Sequence, residues 1–220
     1  MKRLLTTSML IALLGASTAT GAGISVLKTS FETRGEYEAI RSLSGPGKQC
    51  KRDWRDESAL GITVKGGPVD CAVSTPVEGD AAQPDQIVRV VAELNEGTDR
   101  KVRKSVYVGV LARASRKESY ELRIFPKART FELLKSGEVL EEGREKTIEG
   151  LAEKNRLQID ALGDTITAKV NGKELASFKD KDAEQVKARQ TGLSFGNRDN
   201  SKKGLGVASF DKLKVQVPLP

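Results

Sequence analysis

From Gln86 towards the C-terminus the apolar residues recur with a period of two in short runs, the pattern of strands with one buried face. Val88, Val90 and Ala92 alternate with Arg89 and Glu93. Val106, Val108 and Val110 alternate with Tyr107, Gly109 and Leu111, and Tyr120, Leu122 and Ile124 with Glu121 and Arg123. These read as three neighbouring strands. Further strands are expected over 130–135, 157–161, 166–170 and 175–178. A closing strand is expected over 207–217, with Phe210, Leu213, Val215 and Val217 inward and Lys212 and Lys214 outward.

Turn chemistry separates these runs. Asn171-Gly172 stands between two alternating segments, and Asn-Gly tolerates the positive φ angles of a tight hairpin; Gly163-Asp164 stands in the same relation one strand earlier. Residues 147–154 and 182–189 have room for about two helical turns but lack an apolar stripe, so both are read as loops or surface turns. The N-terminal part is less periodic. Strands are expected there over 37–43 and 60–65, separated by Ser44-Gly45-Pro46-Gly47 and a cysteine-bearing loop. The whole predicts an all-β sandwich, one domain over 23–220 whose N-terminal portion, 23–84, carries a disulfide.

Residues 1–22 are patterned differently. Lys2 and Arg3 precede an apolar run over 9–14 and small residues over 15–23, the layout of a secretory signal peptide, with cleavage expected after Ala19 or Ala22. The run is far shorter than the ~20 residues that cross a bilayer, so no transmembrane segment is expected. No cysteine lies here to accept a lipid. The expected location is secreted or periplasmic. Loss of Lys2 and Arg3 takes the formal charge from +7 to +5, spread from Lys28 to Lys214 among acidic neighbours. A nucleic-acid surface gathers such charge on one face and interleaves aromatics, so the reading is a solubilising surface with no nucleic-acid partner.

Cys50 and Cys71 are the two cysteines of the chain. In an oxidising compartment an even pair bridges. A Cys50–Cys71 bond closing a loop of about 20 residues contributes roughly 3 kcal/mol by restricting the unfolded chain; the alternative is two free structural thiols. Histidine is absent, which removes the usual base of hydrolytic triads and the commonest metal ligand. With the cysteines oxidised, neither a thiolate nucleophile nor a zinc site can be assembled. There is no P-loop or dinucleotide-binding glycine fingerprint, and no cofactor is expected. A carboxylate pair cleaves glycosides without histidine, but no strand carries acids at spacings such as Glu-x-Asp-x-x-Glu. Glu78-Gly79-Asp80 lies in a Pro/Gly-rich turn region, and Glu138, Glu141 and Glu142 read as a solvated charge run. No catalytic residue is assigned. Asn197, Asp199 and Asn200 crowd one loop and Asp180 with Asp182 another, without EF-hand spacing, and are read as turns rather than a metal site.

Six segments in order carry a resemblance: Gly109-Val110-Leu111-Ala112-Arg113, Tyr120-Glu121-Leu122-Arg123-Ile124, Asn155-Arg156-Leu157, Gly163-Asp164 with Val170-Asn171-Gly172, Gly192-Leu193, and Phe210-Asp211-Lys212-Leu213-Lys214-Val215. Over 86–217 the chain resembles the concanavalin A-like, laminin G-like jelly roll, and within it looks most like secreted bacterial domains related to the 3-keto-disaccharide hydrolase family. The resemblance implies a two-sheet antiparallel jelly-roll sandwich. That fold hosts lectins, glycosidases, adhesion modules and spacers, so it speaks to architecture more than to activity.

The leading functional expectation is a secreted non-catalytic binding or interaction module, with glycan or cell-envelope polysaccharide as first ligand class and another protein as second. The alternatives are a hydrolase of the 3-keto-disaccharide type and a structural or protein-interaction spacer. With Val106, Val108 and Val110 inside, Tyr107, Gly109, Leu111 and Arg113 turn to the opposite face, Arg113 beside a glycine-cleared patch. An aromatic stacks on a sugar ring while a guanidinium bonds its hydroxyls. Tyr107, Arg113, Tyr120 and the single tryptophan, Trp54, are therefore the candidate ligand-binding residues. Each has a structural alternative: Arg113 pairs a carboxylate across the strand, the tyrosines complete the core, and Trp54 anchors the disulfide loop.

Overall fold

The computed structural model describes residues 23–45, 47–55, 58–77, 85–115, 117–183, 190–201 and 203–218. The leader with its cleavage sites, the turn at Glu78-Gly79-Asp80 and most of 182–189 lie outside the described residues. The chain forms two antiparallel sheets. Sheet A runs in the order β13 (Lys173–Lys179), β12 (Thr165–Val170), β11 (Lys154–Leu162), β6 (Gln86–Leu94), β15 (Gly204–Pro218), β4 (Ala59–Gly66) and β3 (Cys50–Arg55); β1 (Gly23–Thr29) pairs the far end of β15. Sheet B runs β10 (Glu138–Arg144), β9 (Thr130–Lys135), β8 (Tyr120–Phe125), β7 (Val106–Ala114), β14 (Gln190–Asn197), β5 (Val69–Pro76) and β2 (Arg41–Ser44). A helix of six residues, α1 (Arg34–Ala39), lies between β1 and β2.

The sheets bury the faces that the alternation marks. Val88, Val90, Ala92 and Leu94 of β6, Leu157, Ile159 and Ala161 of β11, and Ile166, Ala168 and Val170 of β12 meet Val106, Val108 and Val110 of β7 and Leu122 and Ile124 of β8 in one core. Gly206 of β15 shows how closely the layers fit. A Cβ there would stand 2.7 Å from Val64 and 3.1 Å from the ring of Phe195 in the opposite sheet. The Asn171-Gly172 loop joins β12 to β13 with Val170 paired to Lys173 and both loop residues at positive φ, as the hairpin expectation requires.

Several expectations are corrected. The three strands read as neighbours divide between sheets: β6 belongs to sheet A, β7 and β8 to sheet B. The 207–217 strand lies centrally between β6 and β4 rather than closing a sheet. Phe210 and Leu213 of that strand are both buried although three residues apart, because a bulge at Asp211 and Lys212 (φ 52°) shifts the phase of the pleat. Residues 37–39 are helical, not extended. Thr33 and Glu36 form a capping box, the Thr33 hydroxyl accepting from the Glu36 N–H and the Glu36 carboxylate from the Thr33 N–H, which sets the start of α1. Glu138, Glu141 and Glu142, read as a charge run, lie on β10, an edge strand whose charges face solvent.

The layers are pinned together at their edges. The Cys50–Cys71 disulfide joins β3 of sheet A to β5 of sheet B, with Cα atoms 5.8 Å apart. No described helix is long and apolar enough to cross a membrane.

Candidate functional site

The four residues singled out from the sequence do not converge. Trp54 lies on edge strand β3, half-buried, and its indole N–H donates to the carbonyl of fully buried Phe31 at 2.6 Å. It ties the segment ahead of α1 to the sandwich, a structural contact different from the anchoring of a disulfide loop, since Trp54 itself lies on a strand. Tyr120 points into the core, and its hydroxyl donates to Asp180 at 2.6 Å.

Arg113 departs most from expectation. It is fully buried and turned away from the face that carries Tyr107. The cause is local. β7 holds one residue more than β14 between their pairings at Leu111–Gly192 and Ala114–Gln190, and Arg113 takes up the bulge at φ 46°. One extra residue inverts the side-chain alternation. The guanidinium then reaches sheet A, donating to the carbonyls of Ala161, Gly163 and Ala183 and to Asp85 at 3.0 Å. It clasps the sheets and is no part of an outer face.

Tyr107 alone stands on the outer face of sheet B, where the structure gathers a set that the sequence reading did not name. Directly opposite Tyr107 on β14 is Gly196, which in turn pairs with Asp70 of β5. The Tyr107 hydroxyl donates to Asp70 at 2.8 Å. Arg123 of β8 lies with its guanidinium 4.3 Å from the centre of the Tyr107 ring and makes two hydrogen bonds to Glu121, at 2.7 and 3.0 Å. Its other side faces Asp70 at 3.8 Å. Phe125 packs against the Tyr107 ring at 5.8 Å.

Asp70, Tyr107, Glu121 and Arg123 border a depression of about 150 Å³ that Ser115, Lys117, Ser119, Ser136, Ser194 and Leu111 help to line. The strands beside it require small residues. A Cβ on Gly109 would come within 2.2 Å of the Ser194 hydroxyl and 2.8 Å of the Leu122 carbonyl, and one on Gly196 within 2.4 Å of the Val69 carbonyl and 2.6 Å of Tyr107. Ser194 is 3% exposed, and its hydroxyl has no hydrogen-bond partner in the protein. Buried hydroxyls are ordinarily paired.

The electrostatics fix the charge states of this face. Burial, reinforced by the negative charge of Glu121, holds the Tyr107 hydroxyl well above its ordinary range, so it remains a neutral donor. Burial opposes the Arg123 cation, but Glu121, Tyr107 and Asp70 more than offset it and raise its pKa further. A third carboxylate on the face, Glu132 of β9, is 3% exposed and bonded to Arg198. The loops weighed for calcium spend their oxygens internally. Asp180 accepts from Tyr120, Lys135 and the Asp182 N–H, and Asp199 from Ser201. Among the described residues no cluster of three or more acidic or cysteine side chains is arranged to hold a metal.

Glu121-x-Arg123 did carry a usable signal in the sequence, since alternate residues of a strand share a face. Asp70 and Ser194 did not, because β5 and β14 were not recognised as strands of the same sheet as β7.

No family model matches the chain and no curated protein matches it. Solved structures do. A carbohydrate-binding module, CBM66, from Bacillus subtilis superposes with a TM-score of 0.57 at 13% identity, over 81% of this chain and 95% of that one. A protein of unknown function with a galectin-like fold, also from Bacillus subtilis, gives 0.62 at 12% identity over 90% and 98%. A laminarinase from Flavobacterium sp. UMI-01 gives 0.59 at 15% over 88% and 100%. The chain thus has the concanavalin A-like jelly-roll sandwich that the strand motifs resembled.

Proposed function

We propose that this protein is an exported glycan-binding module whose ligand seats in the depression on the outer face of sheet B. The carrying observation is that depression itself: serine hydroxyls and a braced charged group, Asp70, Arg123 and Glu121, with the unpaired Ser194 hydroxyl among the lining residues. Dense, fixed donors and acceptors suit a polyol, because each sugar hydroxyl both donates and accepts. At 150 Å³ the space equals about five water molecules and is below the roughly 300 Å³ at which sites for drug-sized ligands begin. It takes one sugar unit or the end of a chain.

The arrangement favours binding over hydrolysis. Cleaving a glycoside needs a carboxyl group free to reach the leaving oxygen. Glu121 is bonded to Arg123, Asp70 faces the same guanidinium at 3.8 Å, and Glu132 is bonded to Arg198, so each carboxylate of this face is already engaged by a cation.

A glycan-array screen of the mature chain beside Ser194→Ala tests the reading. Saturable binding to a defined terminal sugar, weakened in the variant, supports it. Absence of glycan binding by the parent protein overturns it in favour of a spacer or protein-interaction domain, and glycan binding indifferent to the substitution takes Ser194 out of the site.

A further inference from the structure

A second depression, of about 460 Å³, is lined by Arg129, Arg144, Lys146, Lys173 and Glu145. Four cations and one anion leave a local charge of +3, nearly half the formal charge of the chain, in one place. The cations come from separate elements. Arg129 closes the turn between β8 and β9, Arg144 ends β10, Lys146 follows it, and Lys173 opens β13 in the other sheet. The backbone beneath them is fixed. The Glu145 N–H donates to the Arg129 carbonyl at 3.0 Å, and the Asn171 side chain donates to the Thr147 carbonyl at 2.7 Å.

Glu145 is already engaged. It bonds Lys173 at 2.7 Å and accepts from the Thr147 N–H. These bonds pull its pKa down to about 2, so it stays charged and neutralises Lys173 alone. Among the described residues no carboxylate lies within ion-pair distance of Arg129, Arg144 or Lys146, all of which are exposed. Glu138, Glu141 and Glu142 lie earlier on β10 and do not line the depression. Glu153 feels the charge of Arg129 without forming an ion pair with it; like charges gathered with so few counter-charges repel one another, and an anionic ligand removes that repulsion.

We infer that this corner is an anion-binding site for an acidic polysaccharide, one bearing sulfate or carboxylate groups, distinct from the depression on sheet B and independent of the glycan reading given for it. A polysaccharide is favoured over a nucleic acid because none of the five lining residues is aromatic, so unpaired bases find no stacking platform.

The backbone supplies a clean test. Arg129 sits at φ 54°, a left-handed conformation that glycine adopts without strain. Arg129→Gly therefore removes a cation while keeping the turn. Titration of the mature chain with heparin, polygalacturonate and neutral dextran is compared with Arg129→Gly/Arg144→Gln/Lys146→Gln and with Glu145→Gln. The expected result is binding of one or both acidic polymers and none of dextran, suppressed by salt. Affinity falls about fivefold per cation removed, the scale for a basic side chain at an anionic surface, and rises in Glu145→Gln as Lys173 is freed. Heparin binding with polygalacturonate silent assigns sulfate, and the reverse assigns carboxylate. Failure of both polymers to bind, equal binding by a triple variant with unchanged circular dichroism, or tighter binding of single-stranded DNA than of either polymer overturns the inference. Ser194→Ala leaves this binding unchanged, which keeps the two sites separable.

Discussion

Ser194 offers a substitution whose effects on stability and on recognition have opposite signs. Its hydroxyl lies over Gly109, buried and without a partner in the protein. Leaving such a group unpaired costs about 1–3 kcal/mol. Ser194→Ala removes the hydroxyl and keeps the Cβ, so neither a cavity nor a new contact is created. Some of the penalty is offset by lost strand preference, since alanine is a poorer strand former. The net expectation is stabilisation by about 1 kcal/mol, or a Tm raised by about 2–4 °C in a chain of this size.

Binding moves the other way. A hydrogen bond to a ligand hydroxyl contributes about 0.5–1.5 kcal/mol, so affinity for the cognate glycan falls roughly 2- to 12-fold. Urea unfolding and calorimetric titration on the same two preparations measure both quantities. A variant destabilised by 1 kcal/mol or more would refute the reasoning, because the hydroxyl would then be satisfied in the folded state. Stabilisation with unchanged affinity would keep the packing argument and remove Ser194 from the site.

Three further outcomes are expected. Arg123→Met should cost about 3–5 kcal/mol, because Glu121 is left buried and uncompensated, while Glu121→Gln/Arg123→Met loses less than the two single changes together; additivity in the cycle would mean the pair is not coupled. Cys50→Ser/Cys71→Ser opens a bond spanning 21 residues and should lower stability by about 3 kcal/mol, with a fall in urea midpoint and a steeper slope as the unfolded chain expands; an unchanged midpoint counts against an inter-sheet pin. For Asp180, burial alone would raise the carboxyl pKa, but hydrogen bonds from Lys135, Tyr120 and the Asp182 N–H lower it below 3.8. The stability it lends is complete above that value and lost as pH falls through the folded pKa, so the stability gap between parent and Asp180→Asn narrows only below about pH 4. A gap constant to pH 2 would exclude this linkage.

The architecture was legible wherever one face of a strand is buried and the other wet. β6, β7, β8, β11, β12 and β13 announce themselves by alternation, and the Asn171-Gly172 hairpin by its turn chemistry. Three kinds of element were not legible, each for a physical reason. Edge strand β10 buries almost nothing and carries charges instead. β14 has glycines and a serine on its outer face, which lies against Tyr107 and Leu111, and only Leu193 and Phe195 as apolar residues on its buried face, too short an alternation to stand out. Bulges at Arg113 and Lys212 break a period-two pattern by one residue, which no count of apolar positions reveals. The first of these misplaced a candidate ligand residue by a whole sheet thickness. The true neighbours of Tyr107 come from β5, β8 and β14, whose juxtaposition is a matter of topology rather than of spacing.

The fate of the large polar side chains also bears on how a ligand is recognised. A two-layer sandwich opens at its margins, where backbone carbonyls near the sheet ends need donors. Long side chains with apolar stems and polar tips meet that need. Arg113 supplies Ala161, Gly163 and Ala183; Trp54 supplies Phe31; Tyr120 reaches Asp180. Tyr107 is itself covered by Arg123. Aromatics make up only 5% of the chain, and these three are committed to structure, so none presents a bare ring at the depression. A sugar on sheet B is then read by hydroxyl and charge geometry, not by stacking. Epimers that invert one hydroxyl should be discriminated strongly, because each leaves a fixed, buried polar group unpaired.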